Sequence, residues 1–168
     1  MRTAGVLITI ALALALQTTL ARFVVGGTTA IDLVLVTVVY IALTSGPLSG
    51  MLAGSVAGLI QDQLSTGVLG IGGLAKSIVG FVVGAIGQHF IITAALPRFV
   101  TFIGATVAYQ LLFIGIYVAL NERSFSSPWK AIGTQALGNA IVGMIAFTII
   151  EALPGVMERR RIGRRSRH

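Results

Sequence analysis

The chain contains no cysteine. That excludes a disulfide framework, a thiol nucleophile and cysteine-ligated metal. Charge is also scarce. Only 10% of the 168 residues are Asp, Glu, Lys or Arg, where a soluble domain carries roughly 25%. Too few polar side chains remain to cover a water-facing globule. Histidine occurs only at His89 and His168, and no His/Asp/Glu group has metal-ligand spacing. No Walker loop is present, and Gly70 and Gly72-Gly73 lack the strand-to-helix context of a dinucleotide fingerprint. Ser65, Ser77 and Ser124 have no nucleophile motif around them. Loops this short cannot build a soluble active site, so we expect no enzyme, no metal and no cofactor.

What the sequence has in abundance is apolar surface. Hydrophobic residues make up 55%, and the mean hydropathy is +0.95. A hydrocarbon core about 30 Å thick needs about 20 apolar residues per helix, so the length allows at most about six spans. Six runs follow: Ala4 to Leu20, Leu33 to Leu43, Leu48 to Leu64, Leu74 to Ala95, Phe99 to Leu120 and Trp129 to Leu153. Thr44-Ser45-Gly46-Pro47 ends the second, Pro97-Arg98 follows the fourth and Pro154-Gly155 closes the sixth. Backbone polar groups in lipid must be satisfied within the segment or in a closed barrel. Barrel strands would be about 10 residues of alternating polarity, whereas these runs are longer and continuously apolar. The expectation is an all-α membrane bundle of about six helices. Runs two and three also fit a single re-entrant hairpin, which would leave five spans. The first run also fits a signal peptide ending at Thr19-Leu20-Ala21, but the recurrence of similar runs favours a retained span.

Six of the twelve basic residues are Arg159, Arg160, Arg161, Arg164, Arg165 and Arg167. This block directly follows an apolar run and so points to anionic lipid rather than nucleic acid. With six spans, Arg2, Arg98 and the tail arginines fall on one side, and Arg22, Lys76, Arg123 and Lys130 on the other. The positive-inside rule then puts both termini in the cytoplasm. We divide the chain into a transmembrane domain, 1–157, and a basic cytoplasmic tail, 158–168. Trp129 is placed as an interfacial anchor. Tyr109 and Tyr117 fit either an anchor or the core.

Three features are specific. Gly46, Gly50, Gly54 and Gly58 recur every four residues, with Ser49, Ala53 and Ala57 beside them, and Gly80 and Gly84 repeat the spacing. Such a stripe lets a second helix backbone approach closely, either inside the bundle or on a partner. Next, Asp62 and Lys76 flank one glycine-rich turn. Ionisable groups at that depth are expected to be paired, and these two are the natural pair. Lastly, Asp32 opens the second run and is placed to cap its helix, while Glu151 lies near the end of the sixth.

The stretch from Asp32 to Phe81 resembles MreD, the small membrane subunit of the bacterial rod-shape machinery. The resemblance rests on Asp32-Leu33-Val34-Leu35, Tyr40, Gly50, Gly54, Gly58-Leu59-Ile60-Gln61-Asp62, Leu64-Ser65, Leu69-Gly70 and Leu74-Ala75-Lys76-Ser77-Ile78-Val79-Gly80-Phe81. Ile31 departs from it, since the family often has proline there. The resemblance implies a non-catalytic scaffold of the bacterial inner membrane. It implies work beside MreC, the actin-like MreB, the polymerase RodA and a penicillin-binding transpeptidase in lateral peptidoglycan synthesis. Substrate-binding subunits of energy-coupling-factor vitamin transporters are also small six-helix proteins. Ala11 and Ala15 match their Ala-xxx-Ala spacing, though within an alanine-leucine repeat. A vitamin binder should gather polar and aromatic residues around an outward pocket, and Asn121, Glu122, Arg123 and Trp129 offer little for one.

Overall fold

The computed structural model describes the backbone of residues 3–20, 31–65, 68–89, 94–120 and 128–165, with side chains at 5–19, 31–65, 68–89, 94–120 and 129–152. These residues form six helices and no strand: α1 (Thr3–Leu20), α2 (Leu33–Ser45), α3 (Pro47–Leu64), α4 (Ile71–His89), α5 (Ala95–Ala119) and α6 (Pro128–Arg165). By length and composition, Ile71–His89, Ala95–Ala119 and Trp129–Ala152 can each cross a membrane.

The short α2 is the post around which the others stand. Its 13 residues rise about 20 Å. Val34, Leu35, Val38, Val39, Ile41 and Ala42 are each at most 1% exposed. A helix apolar on every side has to be covered on every side, and α2 packs against all five others. It ends abruptly because Gly46 adopts φ 89°, a left-handed value that costs glycine nothing. Pro47 then occupies the first turn of α3, where its missing N–H is no loss.

Helices α3 and α4 form the closest pair in the fold. The glycine stripe explains the proximity. A Cβ at Gly50 would stand 2.5 Å from the Gly80 carbonyl oxygen, one at Gly58 2.5 Å from Gly73 Cα, and one at Gly84 2.5 Å from Pro47 Cα. A Cβ at Gly54 would strike the Lys76 carbonyl, and one at Gly80 the Gly50 carbonyl. Gly50, Gly54, Gly58, Gly80 and Gly84 therefore face the neighbouring helix of the same chain. Gly46 sits at the hinge, beside the Gln88 side chain.

Three expected helix ends move. Helix α4 begins at Ile71, three residues before the apolar run, because the Asp62 carboxylate caps its first turn. Helix α5 begins at Ala95, and Pro97 lies in its first turn instead of breaking a helix. Helix α6 passes through Pro154-Gly155 and continues to Arg165. A proline removes one backbone bond, and the helix on both sides outlasts that loss. Arg159, Arg160, Arg161, Arg164 and Arg165 therefore extend the last span as helix, while Arg167 lies outside the described residues. Arg2, Arg22, Asn121, Glu122 and Arg123 also lie outside them.

The outer surface is apolar. Leu12, Leu52, Leu111, Ile141, Ile145 and Ile149 are 50–59% exposed, as lipid-facing side chains are. Trp129 is 71% exposed at the start of α6, whereas Tyr109 and Tyr117 are buried in the core at 7% and 3%.

Candidate functional site

The polar side chains of the interior converge at the N-terminus of α2. Asp32 Oδ1 accepts the Leu35 N–H at 2.9 Å, capping the helix as the sequence predicts. The same carboxylate holds Lys76 through Oδ2, 3.0 Å from Nζ, with both side chains at most 4% exposed. The Lys76 ammonium also lies 4.0 Å from the centre of the Tyr109 ring, a cation–π contact that strengthens where water is excluded.

This arrangement corrects the expected partnership of Asp62 and Lys76. Asp62 Oδ2 instead accepts the Gly70 and Gly73 N–H groups, each at 3.0 Å. Those amides belong to the turn before α4 and to its first turn, where helix N–H groups lack internal partners. Lys76 sits about 4.5 Å further along the helix axis than Gly73, level with α2. Adjacency in sequence favoured Asp62, and depth in the bundle gives the lysine to Asp32.

Asn139 completes the site and is fully buried. Its Oδ1 accepts the Asp32 N–H at 2.7 Å, and its Nδ2 donates to Thr106 Oγ1 at 3.2 Å. The Thr106 hydroxyl donates to the Phe102 carbonyl at 2.8 Å. On the opposite flank, Gln17 of α1 spans the approach to α2. Its Oε1 accepts the Leu33 N–H at 2.7 Å and its Nε2 donates to the Ile31 carbonyl at 3.1 Å. Gln110 and Gln135 join α5 to α6, the Gln110 side-chain amide donating to the Gln135 Oε1. Helices α1, α2, α4, α5 and α6 thus meet in one connected set of polar contacts. Buried polar groups in an apolar medium are tolerated when they are satisfied. Asn139, Thr106, Gln17 and Tyr109 were missed from sequence. Single polar residues within apolar runs were the available signal for the first three. The sequence places Tyr109 as an anchor or a core residue, and nothing in it marks the contact with Lys76.

At the other end of the bundle, Arg98 makes a two-pronged contact with Glu151 at 2.8 and 2.6 Å. Its guanidinium lies 4.4 Å from the Phe147 ring centre. This fixes the start of α5 to the late part of α6. Among the described residues no group of three His, Cys, Asp or Glu side chains is arranged to hold a metal.

A small all-helical membrane protein, organised around a buried ion pair and glycine-mediated helix contacts, is the class this structure defines. The family model for the rod shape-determining protein MreD matches residues 1–153, and the chain belongs to that family. No curated protein and no solved structure matches it. Membership makes it a membrane protein of the rod-shape system.

Proposed function

We propose that the chain is a non-catalytic scaffold of the cell-elongation machinery that helps organise lateral peptidoglycan synthesis. Its partners in this reading are an MreC-like protein, MreB, RodA and a penicillin-binding transpeptidase in the inner membrane. One observation carries the reading. Asp32, Lys76, Asn139, Thr106 and Gln17 bond to one another or to the backbone at the start of α2, so the buried network braces the bundle. Gly50, Gly54 and Gly58 are consumed by α4, which leaves the outward apolar faces of α1, α3, α4, α5 and α6 for membrane partners and lipid.

In this reading both termini are cytoplasmic, and the basic end of α6 rests on anionic lipid, each basic residue near the surface contributing about 1 kcal/mol. Depletion of the protein, followed by microscopy and by vitamin uptake, tests the role. Rounded cells with normal uptake support it. Rod-shaped cells that lose uptake overturn it.

A further inference from the structure

A cleft of about 260 Å³ opens between α1, α3 and α5. Gln17 and Thr18 form one wall, Asp62 and Ser65 the end of α3, and Tyr109 and Phe113 the α5 wall. It borders the buried network, with which it shares Gln17 and Tyr109. Its charge is unbalanced. Lys76 is satisfied by Asp32, whereas Asp62 has no cationic partner among the described residues. Its hydrogen bonds among the described residues come from the Gly70 and Gly73 amides, both to Oδ2. A carboxylate near apolar surroundings favours a cation.

The α5 wall has a matching chemistry. Tyr109, Phe113 and Tyr117 stack along one helix face, with ring centres 5.6 and 4.8 Å apart. Tyr109 already receives an ammonium on its ring. Phe113 offers another π surface in the cleft that holds Asp62. One carboxylate beside an aromatic face is the chemistry that recognises an alkylammonium.

Position selects the source of that ammonium. Asp62 stands in the last turn of α3, and Ser65 is its C-cap. The Gly70 and Gly73 amides hold Asp62 at the start of α4, which can cross a membrane, so the cleft is at the end of a span, where head groups lie. Leu64 on its rim is 62% exposed, an apolar edge for an acyl chain. The volume suits a head group.

We propose that this cleft binds the primary ammonium of an aminophospholipid head group between Asp62 and Phe113. The proposal is independent of the scaffold role.

The test uses the full chain in detergent micelles, titrated with phosphatidylethanolamine or with phosphatidylcholine, which has the same net charge but no primary ammonium, and read by native mass spectrometry. The unmodified protein retains phosphatidylethanolamine in preference to phosphatidylcholine. Asp62→Asn keeps an oxygen for the Gly70 and Gly73 amides while removing the charge, and lowers that preference about tenfold, equivalent to about 1.4 kcal/mol. Phe113→Leu leaves the cap intact and also lowers the preference, so it carries the test if the Asp62 variant does not fold. Equal retention of both lipids, or a preference unchanged in a folded variant, overturns the proposal. Displacement of the lipid by free ethanolamine at equal concentration assigns the site to a soluble amine and overturns the lipid assignment.

Discussion

Lys76 Nζ lies 3.0 Å from Asp32 Oδ2, joining the second turn of α4 to the N-cap of α2 where neither side chain reaches water. Two charges in that setting stabilise only as a pair. Removing one partner leaves the other uncompensated, at about 3–5 kcal/mol in soluble interiors. Lys76→Met and Asp32→Asn should each reduce folded protein in membranes and lower the unfolding temperature in detergent. The double variant should recover part of the loss. Strict additivity of the two single effects in a double-mutant cycle would show that the pair is not coupled.

Gly54 and Gly104 should respond in opposite ways to the same substitution. At Gly54 a Cβ strikes the Lys76 backbone, whereas at Gly104 nothing lies within 4 Å. Gly54→Ala should force α3 from α4 and destabilise by about 1–3 kcal/mol, the usual cost of overpacking. Gly104→Ala should be neutral or stabilising by about 0.5–1 kcal/mol, through lower backbone entropy. Thermal unfolding of both variants decides it, and equal effects would contradict the packing described.

Asn139→Leu should leave the Asp32 N–H and the Thr106 hydroxyl short of a partner. A buried unmet group costs about 1–3 kcal/mol. The loss should appear as faster amide exchange at the start of α2 than in α3. Uniform exchange across the two helices would argue against a local role for Asn139.

The Arg98–Glu151 contact should behave differently, because the Glu151 side chain is 53% exposed. Exposed pairs are screened and contribute little. Glu151→Gln should fold and accumulate like the unmodified protein, with any difference vanishing in high salt. A large, salt-independent defect would mean the pair is buried by something outside this chain.

Orientation has its own check. A reporter fused after His168 that is active only in the cytoplasm should be active, and one active only outside it should be silent. The reverse pattern would turn the bundle over and place Asp62 and its cleft at the cytoplasmic face.

Much of this was legible in sequence because it depends on local quantities. Run length and the scarcity of charge specify apolar helices. Four-residue glycine spacing specifies a close helix contact, and an aspartate before Leu33 specifies a cap. Each follows from the chemistry of a few neighbouring residues. The contact's owner was not legible: the stripe favours the protein's own bundle over a partner without naming the helix, and only packing assigns Gly54 to Lys76 and Gly50 to Gly80.

The sequence by itself determined that this is a helical membrane protein with glycine-thinned helices and a capped, largely apolar α2. Tertiary structure alone decided which carboxylate holds Lys76 and what Asn139 is for. The reason is physical. A helix end satisfies its nearest unbonded amides first, so Asp62 is taken by Gly70 and Gly73. A buried ammonium then takes the acceptor at its own depth, and depth is set by how helices distant in the chain come together.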